Sequence, residues 1–231
     1  MRLSTYCRIL GVCALICWSA RADAAGGAYV VDDAAIGMPG ECQVETWASH
    51  ADNGHLVAAL APACVVDLGA PVEFTTTMLG SRANSEWMGT AGLQAKVILV
   101  PVGPATAGIA LVAGTVVDFD RGQIASSFVN VPVTIQVHDH LRVNLNGGWL
   151  DDRVEDASHI TWGSGFEWDL AKKWTLIGEV YGLVGSPGHE PRMQAGLRYM
   201  PAETVDCDLI YGNNIAGENA NWITAGVTFR Y

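Results

Sequence analysis

The sequence predicts an all-β chain, a transmembrane antiparallel up-and-down β-barrel of about twelve strands. Three observations carry this expectation: apolar and polar residues alternate along segments of about ten residues, connections alternate between short and long, and aromatic residues gather at both ends of the apolar faces. Composition agrees. Half of the 231 residues are hydrophobic and only 16% are charged, with 26 glycines and a mean hydropathy of +0.22. So apolar a chain is not disordered, and its glycine content disfavours long helices. The formal net charge of -11 excludes the basic footprint that a nucleic-acid partner needs.

Arg2 and Arg8, the apolar run 9–20, and Ala22-Asp23-Ala24 together make residues 1–24 a secretory signal peptide. Val12 and Ile16 precede Cys13 and Cys17, where lipoprotein processing wants a small residue, so lipidation is not expected. Residues 25–41 follow as a periplasmic or lumenal segment, and 42–231 form the barrel. Export leaves Cys42, Cys64 and Cys207 in an oxidising compartment, with at most one bridge between them. The first hairpin turns about Asn53, midway between Cys42 and Cys64, which places those two opposite each other within disulfide reach. Cys207 is then a free, lipid-facing thiol; three free thiols are the alternative.

The most apolar stretch, 97–117, is no helix, because Pro101, Gly103, Pro104, Gly108 and Gly114 interrupt it. It reads instead as two strands joined by a tight turn at 101–104. The same rhythm places strands at 42–50, 55–65, 71–80, 87–100, 105–117, 126–136, 141–150, 158–169, 174–184, 191–200, 204–212 and 221–231. Connections after even strands are short, and those after odd strands are polar and usually longer, at 81–86, 118–122, 151–157, 185–190 and 213–220. Short periplasmic turns and longer outer loops are the asymmetry expected of an outer-membrane barrel.

Facing separates a membrane barrel from a soluble sandwich. In the last strand Ile223, Ala225, Val227, Phe229 and Tyr231 oppose Thr224, Gly226, Thr228 and Arg230, and earlier strands repeat the pattern. Trp168, Trp174, Tyr199 and Tyr231 then fall at the periplasmic ends, and Trp87, Trp149 and Tyr211 at the outer ends, all on the apolar face. Two aromatic belts suit two bilayer interfaces. A sandwich core has no reason to produce them.

On the opposite face lie Glu45, Glu73, Lys96, Arg142, Glu167, Glu179, Arg198, Asp206, Asp208 and Arg230. Facing lipid, an Arg or Lys would cost roughly 2 to 4 kcal/mol at the bilayer midplane, so these charges are assigned to the lumen. They either line an aqueous path or pair with one another inside a plugged wall. Glu167 and Glu179 sit on neighbouring strands, where Arg142 or Arg198 can partly neutralise them. No phosphate loop or nucleophile motif occurs, and Ser49-His50-Ala51-Asp52-Asn53-Gly54 reads as a hairpin turn rather than a hydrolase site. His138-Asp139-His140 reads as a turn with too few fixed ligands for a metal. No cofactor is expected.

The run Leu141-Arg142-Val143-Asn144-Leu145-Asn146-Gly147-Gly148, then Gly163-Ser164-Gly165-Phe166-Glu167-Trp168, Glu179-Val180-Tyr181-Gly182, Gln194-Ala195-Gly196-Leu197-Arg198-Tyr199 and the terminal strand ending in Tyr231 resemble a family of outer-membrane barrels named for the MetA pathway of phenol degradation. Val31-Asp32-Asp33-Ala34 through Glu45 is similar to that family's entry into its first strand. The resemblance implies a porin-like barrel in the outer membrane of a Gram-negative cell. The terminal aromatic resembles the signal read by the barrel assembly machinery, with Tyr231 in place of the commoner Phe. The function expected is a passive channel or narrow porin for small solutes, mildly cation-preferring and not an enzyme, in contact with outer-membrane lipid and lipopolysaccharide. A structural barrel with a plugged lumen and an outer-membrane lipid-modifying enzyme are the alternatives.

Overall fold

A computed structural model describes residues 29–83, 86–184, 191–215 and 220–231. The expected signal peptide, with Cys13 and Cys17, and the loop 185–190 lie outside them. Twelve strands run in chain order: β1 Cys42–Ala51, β2 Leu56–Asp67, β3 Pro71–Ala83, β4 Glu86–Val100, β5 Gly108–Asp118, β6 Gln123–His138, β7 Leu141–Asp152, β8 Ala157–Ala171, β9 Trp174–Val184, β10 Arg192–Ala202, β11 Val205–Asn214 and β12 Asn221–Arg230. Each pairs antiparallel with its sequence neighbours, and β1 pairs with β12 to close the barrel. Closure leaves no sheet edge, so the ladder satisfies the wall's backbone groups internally.

The closing seam is braced at both ends. At the end that carries the short turns, Cys42 and Tyr231 exchange backbone hydrogen bonds at 3.0 and 2.9 Å. At the opposite, loop end, the Tyr211 hydroxyl donates to Asn221 Oδ1 at 2.9 Å, and Asn221 Nδ2 donates to Asp52 Oδ2 at 2.8 Å. That amide holds the Asp52 carboxyl below the usual carboxylate range. Cys42 and Cys64 are partners in the β1–β2 register and form a disulfide, as the midpoint at Asn53 required. Cys207 is free.

Some strand boundaries depart from expectation. The turn expected at 101–104 extends over 101–107, pinched by a bridge between Gly103 and Thr106, so β5 begins at Gly108 rather than at 105. Pro101 and Pro104 lack the N–H that would continue the ladder, which delays its restart. Conversely, β3 and β4 run past their expected ends to Ala83 and Glu86.

The outer surface is apolar. Leu60, Phe74, Leu93, Val131, Leu145, Ile160, Leu197, Leu209, Ile223 and Phe229 all expose their side chains there. Trp87, Trp149 and Tyr211 toward the loop end, and Trp168, Trp174 and Tyr231 toward the turn end, are exposed on the same face. Trp174 and Tyr199 stack with ring centroids 4.7 Å apart. Inside, small residues predominate on two strands: Ala59, Ala61, Ala63 and Val65 of β2, and Ala110 and Val112 of β5, are buried. They line the lumen without filling it.

We predict one alkylatable thiol, Cys207, in the unreduced and denatured chain expressed from Ala25. Replacing Cys42 and Cys64 together by Ser should lower stability by roughly 2 to 4 kcal/mol. Two or more alkylatable thiols without reductant would contradict the bridge.

Candidate functional site: the barrel lumen and the segment that crosses it

Residues 29–36 do not pair with the sheet; they run through the lumen. Asp33, Ala34, Ala35, Ile36 and Val31 are all buried, Asp33 and Ala34 completely. The segment enters beside β2, where Gly40 donates its N–H to the Val65 carbonyl at 2.9 Å, and ends beside β10 at Tyr29. There the Arg198 guanidinium lies 5.6 Å from the Tyr29 ring centre. Burial pushes the Tyr29 phenol far above its ordinary value, and the negative charge of Asp208 adds to the shift.

A buried irregular backbone must find acceptors for its N–H groups, and wall side chains supply them. Glu179 on β9 accepts Val30 N–H at 2.8 Å with one oxygen and Val31 N–H at 3.0 Å with the other. Asn146 on β7 accepts from Asp32 N–H at 2.9 Å and donates to the Asp32 carbonyl at 2.6 Å. Thr134 on β6 accepts Ala34 N–H at 2.8 Å and donates to Asn144 at 2.8 Å. Lys96 on β4, only 2% exposed, donates to Asp32 at 2.9 Å and Asp33 at 3.3 Å.

Glycines make the seat. A Cβ at Gly163 would lie 2.8 Å from Val31 Cγ2, and one at Gly196 would lie 2.7 Å from the Tyr29 hydroxyl. Any side chain on these inward positions would displace the segment.

The ten charges expected in the lumen fall in four environments. Arg142 and Glu167 form a 2.7 Å pair, with Asn144 donating to the second Glu167 oxygen at 2.8 Å. Arg198 meets Asp208 at 2.9 Å and Asp206 at 3.7 Å, and Arg230 meets Asp206 at 2.6 Å, forming a ladder across β10, β11 and β12. Glu45, Glu73 and Lys96 face a different space. Glu179, expected as a wall charge beside Glu167, is occupied instead by the crossing segment and by Gln194 Nε2 at 2.7 Å.

Two cavities stand out. Toward the turn end, a space of about 920 Å³ is lined by Arg142, Glu167, Arg198 and Asp206 together with His138 and His140. Toward the loop end, a space of about 410 Å³ is lined by Asp32, Glu45, Glu73, Lys96 and the rings of Trp47, Phe128 and Tyr181. The His138 and His140 rings stand 6.0 Å apart. Among the described residues no group of three or more His, Cys, Asp or Glu side chains is placed to hold a metal. His50 pairs in register with Leu56 and Ile223 on the loop-end half of β1.

Residues that the sequence reading left without a lumen role are Asp32, Asp33, Thr134, Asn144, Asn146, Gln194 and the three inward rings. Their signal was parity: Asn144 and Asn146 share the face of Arg142, and Trp47 shares that of Glu45.

We predict that Lys96→Met leaves two buried carboxylates without their cation, at a cost of roughly 3 to 5 kcal/mol, and loosens the segment. The check is limited digestion of the folded protein by an Asp-specific endoproteinase. Cleavage after Asp32 or Asp33 should accelerate strongly in the variant, and equal rates would show that Lys96 does not hold the segment.

The fold is shared with known channels. A KdgM porin structure matches with a TM-score of 0.64 at 11% identity, covering 81% of this chain and 98% of that one. Another structure shows KdgM in complex with disordered oligogalacturonate. A NanC porin matches at 0.61 and 8% identity, over 80% of this chain and 98% of that one. An outer membrane channel from Pseudomonas putida F1 matches at 0.60 and 10% identity, over 85% and 97%. No curated protein sequence matches the chain significantly. The family model that matches is not, by its description, the MetA-named family that the motifs resemble. It covers residues 13–231, and the chain thus belongs to the family described as uncharacterised conserved protein UCP029691.

Proposed function

We propose that the protein is an outer-membrane barrel that passes small solutes through a narrow, mildly cation-preferring bore. The observation that carries this reading is the pair of cavities, one toward each end of the lumen, separated by a single crossing segment rather than by a packed core. Exported by its leader and folded through a C-terminal strand that the assembly machinery reads, the barrel turns its apolar exterior and aromatic belts to lipid, with lipopolysaccharide at the loop end. The resemblance to MetA-named barrels we read as one of architecture.

Charge separates this lumen from one built for a polyanion. Of its ten wall charges six are acids and four are bases, and Asp32 and Asp33 from the segment add two more acids. An excess of carboxylates in a low-dielectric tube concentrates cations and repels anions. An acidic oligosaccharide, the ligand named for KdgM, is accordingly not the solute class proposed here.

The second reading, a structural barrel with a plugged lumen, is favoured by the ion-paired fixation of Asp32 and Asp33. Planar-bilayer recording separates the two. We expect small unitary currents from the wild type, larger ones from Gly163→Leu, which crowds Val31 off the wall, and a reversal potential under a salt gradient that reports cation preference. Glu45→Gln with Glu73→Gln should weaken that preference. Silence from both wild type and Gly163→Leu would favour the structural barrel, and anion preference would remove the charge assignment.

A further inference from the structure

We propose that the loop-end cavity binds a small organic cation, a primary or quaternary ammonium carried on an apolar or aromatic body. The argument begins with the lysine. Glu73 and Lys96 are direct partners in the β3–β4 register, the position at which a cross-strand ion pair would form. Lys96 instead donates its ammonium to Asp32 and Asp33. Glu73 is left with a side chain more than nine-tenths buried, at 8% exposure, facing the cavity, and it takes part in no hydrogen bond or ion pair among the described residues. A buried carboxylate in that position is a site that a cation from outside can complete.

The remaining walls define which cation. Glu45 and Asp32 line the same space, so three carboxylates stand against one ammonium that is already engaged. An anion is thereby disfavoured. The carboxylates do not converge as a metal cluster among the described residues, which argues against a bare divalent ion and for a ligand with a body of its own. Trp47, Phe128 and Tyr181 supply the surface for that body. Phe128 lies over Gly114, where a Cβ would come within 2.5 Å of the ring, so the phenyl group is held along the wall and its position depends on that glycine. Ring faces next to a buried carboxylate attract an ammonium by cation–π interaction, worth about 0.5 to 2 kcal/mol as desolvation increases. The cavity, about 410 Å³, lies within the size range of small-molecule sites.

This inference deepens the channel reading by naming a solute class, yet binding can be measured without conduction. Isothermal titration of the detergent-folded full chain with phenethylammonium chloride, and separately with 2-phenylethanol, compares two ligands of the same shape that differ in charge. We expect saturable binding of the amine, at least about tenfold tighter than that of the alcohol. Glu73→Gln should abolish that preference, and Trp47→Leu should weaken both ligands. Asp139→Asn, which removes one charge at the turn end, should change nothing. Equal affinity for amine and alcohol, no binding of either, or a loss in Asp139→Asn matching that in Glu73→Gln would overturn the site. Should Glu73→Gln fail to fold, the amine-against-alcohol comparison on the wild type decides alone. Binding without current would sink the channel and keep the site; current without amine binding would do the reverse.

Discussion

Two carboxylates share one buried ammonium near the middle of the barrel, and the arrangement of the interior follows from that contact. Lys96 has three candidate partners, Asp32 and Asp33 on the crossing segment and Glu73 beside it in register. By choosing the first two it pins an irregular stretch of backbone across the lumen. Were it paired with Glu73, Asp32 and Asp33 would lose the Lys96 ammonium, and Asp33 is wholly buried.

A buried ion pair is weak evidence of stability, because desolvation costs about as much as attraction returns. Its better use is to select one arrangement over others. The surrounding bonds support that view. Glu179 with two successive N–H groups, Asn146 with both an N–H and a carbonyl, and Thr134 with Ala34 fix the segment in one register against three separate strands. A shift by one residue would put Val31 where Asp32 stands and leave Lys96 with one carboxylate in place of two. The inward glycines Gly163 and Gly196 reinforce the choice sterically, since their bare backbone accommodates Val31 and Tyr29. Polar anchoring and shape thus specify the same position.

The wall of the barrel was legible because its signal is local. Period-two alternation fixes which residues face inward, and hairpin symmetry about Asn53 fixes a register good enough to bring Cys42 opposite Cys64. The belt residues and the ten wall charges follow from the same parity. The crossing segment was not legible in that way. Val31-Asp32-Asp33-Ala34 carries no period, and its partners on the wall lie between 63 and 148 residues away, from Lys96 to Glu179. Parity could place Glu179 on the inner face but could not say that backbone N–H groups, rather than an arginine, would meet it. The trace that did exist was negative: Gly163, Gly165 and Gly196 empty the inner face where neighbouring strands carry side chains, which marks a groove without naming its occupant.

The segment divides the lumen electrically as well as sterically. On its turn-end side, arginines and carboxylates alternate across β7 and β8 and again across β10 to β12, so each guanidinium is neutralised by an acid on an adjacent strand. On its loop-end side, the lysine that would balance Glu73 is drawn into the segment, and Glu45 adds to the surplus. Charges in a narrow space walled by protein and lipid are poorly screened, so this difference becomes a gradient of potential along the bore. The Asp pair therefore acts twice. It neutralises Lys96, and by doing so it leaves Glu73 facing the loop-end cavity with no ion-pair partner among the described residues.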